Sequence, residues 1–503
     1  MTSNERSESP KWHSSKYFII LLIFVVILIV TLIRKGYPAP YNDDLAQVGA
    51  ALSLSRGDGY ANPYVREWMA VFPTKMPFYY PPGMTYLLAG WLSVFGTSVQ
   101  SMLSYQWLFI LSGAASIMFY LRRWCNQSLP LSLVGGLAFL LAFQLEGFRN
   151  EVPAYTLAFI GISLCFQKNR IIKYTGYLFL AFAGVIYPVV PLVVAPAYLA
   201  VYLSLNSPWP WHSIHRIKPL LAEIPYAIAG AATAFILFLW MIGGELDEFL
   251  RVIRIHKDMA IPRGFMDNIM SFWAIITAFN QKIIRLPLVI ASGLAVVLSI
   301  ISSIRSKNTS FVLPLSLTVC CLLSILTNPM RAKTFVPILE IIVVMIVSAS
   351  FLRRRNILPA FAGLLFVCLI NSKVLLELII QSPIDQENIS KIKADLEHTD
   401  YEKTRVLIDP WTARYVYSYN IPPTVIDLLT WGAAQKHLRP GLSRYISPST
   451  KPANEVWVVT TEDMYFAADP DDRSKYKMPE RASLGGKFIN NIPARHAEFV
   501  IIR

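Results

Sequence analysis

Two adjacent carboxylates stand shortly after the first long apolar stretch of the chain. Asp43 and Asp44 open the segment DDLAQVGAALSLSRGDGY, a few residues beyond Arg34 and Lys35. Carboxylates supply general bases, and like-charge repulsion between two neighbours raises the pKa of one of them. They are also stabilised at the N-terminus of a helix, where they act as a cap. The local pattern leaves both a catalytic pair and a plain helix cap open.

Other candidate acids and bases stand in two later polar segments. The segment EGFRNEVPAY contains Arg149 and Glu151, and the segment NPMRAKTFVPILE contains Arg331, Lys333 and Glu340. Glu340 falls inside an apolar run, where a carboxylate is costly and is either functional or paired with a cation on a neighbouring helix. Glu223, another acid in apolar surroundings, lies near a predicted helix end, and we interpret it as interfacial.

A basic group follows in the segment EFLRVIRIHKDMAIPRGF. Arginine contacts phosphate through paired hydrogen bonds, and lysine attracts it as a point charge. The group therefore suits either the phosphate of a substrate or the headgroups of membrane lipid. Its members are Arg251, Arg254, His256, Lys257 and Arg263.

The composition is that of a membrane protein. Of the 503 residues, 54% are hydrophobic and 16% are charged, whereas soluble domains carry about 25% charged residues. The net charge of +14 is explained by basic residues in short loops, which set membrane topology, so nucleic-acid binding is not expected. The cysteines avoid the polar C-terminal part and form no CxxC pair, so neither a disulfide framework nor a cysteine metal site is indicated.

Apolar runs long enough to cross a bilayer predict about eleven membrane helices. We place them at 17–35, 100–121, 129–145, 152–167, 174–188, 190–205, 221–242, 286–304, 310–327, 334–351 and 357–373. Arginine and lysine collect in the loops on one side, which is therefore cytoplasmic. The N-terminus lies on that side as an uncleaved anchor, and an odd number of helices places the C-terminal part outside. The predicted fold is a polytopic α-helical membrane protein, with a membrane domain at 1–373.

The long first outer loop, 36–99, is predicted to carry amphipathic helices. Leu45, Val48, Leu52 and Leu54 fall near one helical face, which suits a helix lying flat on the membrane surface.

The C-terminal part, 374–503, has a different pattern. It contains the β-rich runs KTRVLIDP, PPTVID, NEVWVVT and HAEFVIIR, and one helical run, ISKIKADLEH. Short strands mixed with a helix predict a small α/β or α+β extracytoplasmic domain.

The first outer loop resembles that of the C-type (GT-C) glycosyltransferases that use polyprenyl-phosphate sugars, including the protein O-mannosyltransferase and lipid A aminoarabinose transferase families. The shared pattern is an acidic pair, a short amphipathic helix, a small-Gly turn, and a Pro-Pro element before an apolar segment that ends in Phe-Gly. Here these parts are Asp43-Asp44, LAQVGAALSLSRGDGY, Tyr80-Pro81-Pro82 and Phe95-Gly96. Arg149 and Glu151 match a second outer turn of the family, with Glu in place of the usual Asp. Arg331 and Lys333 stand where its late Arg-Tyr pair is expected.

The resemblance implies an inverting membrane glycosyltransferase. Its donor would be a polyprenyl-phosphate sugar and its acceptor a glycan, a lipid or a protein. The compact C-terminal part and the absence of outer disulfides favour the inner (plasma) membrane of a bacterium. Asp43 would be the general base, and Asp44 would orient it or bind the acceptor. Tyr80, Arg149, Glu151 and the cations named above would bind substrate. Members differ in metal use, so no cofactor is assigned; if a divalent cation is used, Asp43 and Glu151 would be its oxygen ligands.

Two other functions stay open. A polymerase or ligase of undecaprenyl-diphosphate-linked glycans places its key outer loop late in the chain with basic residues, whereas here the first outer loop is long and acidic. A non-enzymatic transporter tends to show internal repeats and broken helices at the membrane midplane. This sequence shows no repeat, and its polar content lies on one face.

Overall fold

The computed structural model describes residues 14–38, 44–60, 81–123, 150–206 and 218–259, some isolated positions, and strands between residues 404 and 502. Most of this part of the chain is helical. The helices are α1 (Ser14–Arg34), α2 (Asp44–Arg56), α3 (Gly83–Phe95), α4 (Val99–Arg123), α5 (Glu151–Cys165), α6 (Arg170–Ile186), α7 (Val189–Asn206), α8 (Lys218–Leu221), α9 (Ile224–Met241) and α10 (Leu246–Met259).

The predicted spans at 17–35, 100–121, 152–167, 174–188, 190–205 and 221–242 are confirmed as helices. The remaining predicted spans fall outside the described residues, apart from isolated positions. Among the described residues, two helices, Val99–Tyr120 and Ile224–Met241, are long and apolar enough to cross a membrane. Much of the second is exposed, with Ile228, Phe235, Ile236 and Trp240 between 54% and 67% accessible. An apolar helix with so much apolar surface uncovered is consistent with a lipid surrounding.

Glycines let the helices approach closely. A methyl group at Gly176 of α6 would lie 2.7 Å from the backbone nitrogen of Cys165 in α5, and one at Gly230 of α9 would lie 2.7 Å from the backbone nitrogen of Leu178 in α6. Small residues at such contacts let the backbones of two helices approach closely. A hydrogen bond between Tyr174 Oη and Thr233 Oγ1, 2.8 Å long, also joins α6 to α9.

The helix ends meet in two groups. At the first, which we call the α3 end, Tyr86 Oη of α3 donates to the carbonyl of Met241 at the end of α9, at 2.8 Å. A methyl group at Gly83 of α3 would lie 2.9 Å from the carbonyl oxygen of Val185 at the end of α6. At the opposite end, which we call the Glu223 end, Lys173 near the start of α6 contacts Glu223 just before α9.

The remaining termini follow from these contacts. Cys165 at the end of α5 lies beside Gly176 in α6, so the two helices are antiparallel and α5 begins at the α3 end. Trp91 Nε1 of α3 donates to the carbonyl of Ser101 at 2.9 Å, and Trp107 Nε1 donates to the carbonyl of Tyr37 at 3.0 Å. The start of α4 and the end of α1 therefore also lie at the α3 end.

Helix α2 differs from the sequence-based prediction. A helix is confirmed at Asp44–Arg56, but every residue from 47 to 53 is buried. These residues cover all sides of a helix, so the prediction of a single apolar face lying on the membrane surface was wrong. Gly49, Ala50 and Ala51 stand where a surface helix carries long polar residues, and their small size lets neighbours such as α3 pack around α2.

The four β-rich runs of the C-terminal part are confirmed as strands. They are β1 (Thr404–Ile408), β2 (Ile426–Leu428), β3 (Glu455–Thr460) and β4 (Val500–Ile502). They form one 4-stranded sheet in the order β2-β1-β3-β4. Strand β1 is parallel to β2 and to β3, and β4 is antiparallel to β3. Of the predicted helix ISKIKADLEH, only Ala394 and His398 are described.

Candidate functional site

The acidic pair lies at the start of helix α2, which packs against α3. Asp44 is the first residue of α2, and Asp43 lies outside the described residues, as do Tyr80, Arg149, Arg331, Lys333 and Glu340. A carboxylate in the first turn of a helix is stabilised by the helix dipole. The cap interpretation of Asp44 is therefore compatible with its position in the chain.

The chain that leads to this pair is anchored on α4. Gly36 has φ 86°, a left-handed conformation that favours glycine, and it turns the chain away from α1. Tyr37 follows; it is 1% exposed and its carbonyl accepts the bond from Trp107. Burial raises the pKa of Tyr37 above its usual value. The anchored backbone limits where the acidic pair is able to lie.

Helix α2 ends in a glycine cap at the RGDGY turn. The amide of Asp58 donates to the carbonyl of Ser53 at 3.0 Å, and the amide of Gly57 donates to the carbonyl of Leu54 at 3.1 Å. Gly57 has φ 85°, so the turn is a Schellman motif, in which a left-handed glycine closes the helix. The small-Gly turn of the sequence pattern is therefore explained by the left-handed glycine that closes helix α2.

The turn leads to a tyrosine contact with α3. Tyr60 Oη donates to Thr85 Oγ1 at 3.4 Å, and the Tyr60 and Tyr86 rings lie 5.9 Å apart. Burial raises the pKa of both tyrosines. Since Tyr86 also bonds the end of α9, the acidic helix α2 is joined through α3 to the bundle.

The second acidic residue begins α5. Glu151 is 6% exposed and is the first residue of that helix, so its charge is favoured by the helix dipole. The residue before it, Asn150, is 2% exposed. The Asn150 carbonyl accepts from the amide of Ala154 at 3.1 Å, but its side chain makes no capping bond. Neither Oδ1 nor Nδ2 of Asn150 has a hydrogen-bond partner among the described residues.

The first part of the basic segment belongs to helix α10, and Arg263 lies outside the described residues. Gly243 and Gly244 have φ 61° and 81° and turn the chain after α9 into α10. Phe249 of α10 packs edge-on against Phe238, with ring centroids 4.9 Å apart. Arg251 already pairs with Glu248, at 2.6 Å and 3.0 Å.

The outer part of α10 combines charge with apolar surface. Arg254 is exposed, and Leu250 and Ile253 beside it are 38% and 47% exposed. His256 and Lys257 belong to the same helix. A helix that presents cations next to uncovered apolar side chains suits the boundary between lipid tails and phosphate headgroups.

The α3 end therefore gathers the start of α5 with Glu151, the contact of Tyr60 after α2 with α3, and the helix that carries Arg254. Asp43 and Arg149 precede the starts of α2 and α5 in the chain. Among the described residues, no group of three or more His, Cys, Asp and Glu side chains is arranged to hold a metal ion.

The Glu223 end contains a polar cluster whose extent the sequence analysis missed. Glu223 is 5% exposed and is bonded by Lys173 Nζ at 2.5 Å and by the hydroxyls of Tyr177 and Tyr202 at 3.2 Å each. Tyr177 Oη is also 2.9 Å from Tyr198 Oη. The interpretation of Glu223 as only interfacial did not include these contacts, which join it to α6 and α7. An acid in apolar surroundings, with a lysine and tyrosines near other helix ends, was the available signal.

Comparison of the chain with protein-family models, with curated proteins and with solved structures finds no match to any of the three.

Proposed function

We propose that this chain is an inverting membrane glycosyltransferase of the GT-C type. It would transfer a sugar from a polyprenyl-phosphate donor to a glycan, lipid or protein acceptor at the outer face of a bacterial plasma membrane. The proposal includes about eleven membrane helices and an extracytoplasmic domain at 374–503. The resemblance of the first outer loop to that superfamily is its starting point.

The orientation of the bundle in the membrane is part of the proposal. Arg122 and Arg123 end α4, and Lys168, Arg170 and Lys173 surround the α5–α6 turn. Both segments lie at the Glu223 end, opposite the start of α4 and α5. Basic residues gather on the cytoplasmic side of membrane proteins, so the Glu223 end is assigned to the cytoplasm and the α3 end to the outside.

The observation that carries the proposal is that the segment of the acidic pair and the segment of Glu151 both reach the α3 end. Helix α5 begins with Glu151 at the α3 end, and the turn that closes α2, the helix that begins at Asp44, leads to Tyr60, which contacts Thr85 and Tyr86 at that same end. About a hundred residues separate Asp44 and Glu151 in the chain. Helix α10, with exposed Arg254, turns off α9 at that same end. A site for a lipid-phosphate sugar needs a carboxylate near the reacting carbon and a cation near the phosphate, and Glu151 and Arg254 at this end are groups of these two types.

The proposed reaction is a displacement at the anomeric carbon. The acceptor oxygen or nitrogen attacks that carbon, and the bond from carbon to the phosphate oxygen breaks with its electron pair leaving on the polyprenyl phosphate. The acceptor proton passes to the Asp43 carboxylate, which acts as general base. Asp44 orients Asp43 or binds the acceptor, and Arg254, His256 and Lys257 stabilise the charge of the departing phosphate.

The remaining predicted residues complete the proposed site. Tyr80, Arg149, Arg331, Lys333 and Glu340 are assigned to substrate binding on the sequence pattern alone. If the enzyme uses a divalent cation, Asp43 and Glu151 would provide oxygen ligands, which are the type that magnesium and calcium prefer.

The test is a transfer assay with purified protein, radiolabelled polyprenyl-phosphate sugars and a membrane extract that supplies acceptors. Loss of a general base lowers the rate by about 10²- to 10⁴-fold, so Asp43→Asn should lose at least about a hundredfold. Asp44→Asn, one position away, is the matched variant and should lose less. Full activity of Asp43→Asn would remove it as the base. No transfer by the wild type from any such donor would overturn the proposed function.

A further inference from the structure

Two buried carboxamides next to the acidic motifs lack hydrogen-bond partners. Gln47 lies three residues after Asp44 in α2, is 3% exposed, and its Oε1 has no partner among the described residues. Asn150 directly precedes Glu151, is 2% exposed, and neither polar atom of its side chain has a partner there. Each predicted acidic motif is thus accompanied by one unsatisfied amide.

The Glu223 end shows the contrast. Its buried carboxylate is bonded by one lysine and two tyrosines, and Ser163 Oγ donates to the carbonyl of Phe159 at 3.0 Å. Within the part of the chain that the structure describes, buried polar groups at that end are satisfied, whereas Asn150 at the α3 end and Gln47 in α2 are not. Glu223, Gln47 and Asn150 are buried to a similar degree. The two ends therefore differ in whether the buried polar side chains have hydrogen-bond partners, and not in burial.

Buried amides without hydrogen-bond partners indicate a place where a ligand binds. Native proteins contain only a few buried polar groups without a partner, and each one costs free energy unless something binds it. A carboxamide offers an acceptor oxygen and a donor NH₂ group side by side. A sugar ring offers hydroxyl groups that are donors and acceptors on neighbouring carbons, so the two kinds of group are complementary. Anionic phosphate fits less well, because an amide oxygen repels it.

We propose that the side chains of Asn150 and Gln47 bind hydroxyl groups of the sugar that is transferred. The inference rests on the proposed function and assigns the sugar-binding groups of that same site. Asn150 lies beside the start of α5 and both polar atoms of its side chain lack a partner among the described residues, so it contributes the larger part. Gln47 contributes its oxygen as an acceptor for one hydroxyl.

Stability and affinity separate this role from a structural one. Asn150→Leu replaces the unsatisfied amide by an apolar side chain of similar size, and such a replacement is close to neutral or stabilising for a free protein. Thr156→Val is the matched control in the same helix, since Thr156 Oγ1 donates to the carbonyl of Phe109 at 2.9 Å and is part of the helix packing. Asn150→Leu should leave the thermal midpoint unchanged and weaken the binding of the sugar phosphate. Thr156→Val should lower the thermal midpoint and leave that binding unchanged.

The probes are farnesyl phosphates that carry glucose, galactose, mannose or arabinose, together with the deoxy analogues of the sugar that binds best. Binding is measured by the ligand-induced shift of the thermal midpoint in detergent, so that no turnover is needed. We expect Asn150→Leu to weaken binding of the best sugar by about tenfold, the effect of one lost buried hydrogen bond. One deoxy analogue should bind about tenfold more weakly than its parent to the wild type and almost equally to Asn150→Leu. Gln47→Leu should show the same pattern with another hydroxyl or a smaller effect.

Each contrary outcome has a distinct meaning. If wild type binds a sugar phosphate and Asn150→Leu binds it equally well, the inference is overturned and the proposed function stands. If Asn150→Leu lowers the thermal midpoint as Thr156→Val does, Asn150 is a structural residue with a bound water or another partner, and the inference again falls. If wild type binds none of the probes, both the inference and the proposed function are overturned.

Discussion

The buried ion pair at the Glu223 end offers a quantitative test of the fold. Lys173→Met removes the cation and leaves the Glu223 carboxylate among apolar neighbours, with only the two tyrosine bonds of 3.2 Å each. Removing one partner of a buried pair costs about 3–5 kcal/mol. The Lys173 side chain is 20% exposed and that of Glu223 is 7% exposed, so water partly screens the pair. Because the tyrosines also remain, we expect the lower limit, about 3 kcal/mol.

Glu223→Gln and the double variant Lys173→Met with Glu223→Gln complete a double-mutant cycle. Glu223→Gln removes the charge and keeps an oxygen that accepts from Tyr177 and Tyr202, while Lys173 turns to water; a loss of about 1–2 kcal/mol is expected. In the double variant neither charge is left buried and unpaired, so its free energy of unfolding should lie within about 1 kcal/mol of wild type. The order of stability is then wild type, double variant, Glu223→Gln and Lys173→Met.

The assay is equilibrium unfolding of the purified protein in mixed micelles, followed by far-ultraviolet circular dichroism as sodium dodecyl sulfate is added. Lys168→Met, at an exposed position before α6, is the matched control and should change the free energy of unfolding little. A double variant whose loss equals the sum of the two single losses would show that the residues are not coupled. Equal effects of Lys173→Met and Lys168→Met would refute the reasoning that the pair is buried.

Three further predictions concern the α5–α6 contact, the α2–α3 contact and α10. Gly161→Ala should lower the thermal midpoint because its methyl would lie 2.8 Å from a carbonyl oxygen of α6. Gly90→Ala, with nothing within 4 Å of the added methyl, should raise stability by up to about 1 kcal/mol. Equal thermal midpoints of the two variants would contradict this prediction. Burial raises the pKa of Tyr60 above its ordinary value of 10.0, so the neutral phenol stabilises the fold fully below about pH 10 and this contribution is lost at higher pH. Between about pH 9 and pH 11 the wild type should thus lose more free energy of unfolding than Tyr60→Phe, and parallel curves would count against the burial of Tyr60. In the transfer assay Arg254→Ala should raise the KM for the lipid-phosphate donor more than Arg251→Ala, because Arg251 is already engaged by Glu248; the reverse order would assign phosphate binding to Arg251.

Much of the helical fold was predictable from local pattern. The long apolar runs gave α1, α4, α5, α6, α7 and α9, and alternating β-branched residues gave the strands around 404–408 and 455–460. These elements follow from chain chemistry that acts over a few residues: an apolar run must form its backbone hydrogen bonds within itself when no water is available. The predicted spans after residue 260 stay predictions, as do the domain boundary at 373 and the membrane topology.

The error on α2 and the missed contacts of Glu223 both came from judging residues without their neighbours in space. Helix α2 was assigned an apolar face from its leucines and valine, but the small Gly49, Ala50 and Ala51 permit contacts on every side. Glu223 was assigned to a membrane interface from its place near a helix end. Its lysine and tyrosine partners come from α6 and α7, which local sequence does not place beside it.

The sequence by itself determined that this chain carries apolar helices, a first loop with an acidic pair and a glycine turn, and cations in a later segment. These are properties of residue type and spacing along the chain. Only the tertiary structure decided that Tyr60 after α2 and the start of α5 lie at the same end, that Lys173 reaches Glu223, and that Asn150 is buried without a partner among the described residues. Proximity and burial depend on how helices pack through Gly161, Gly176 and Gly230, and packing joins residues that the chain keeps far apart.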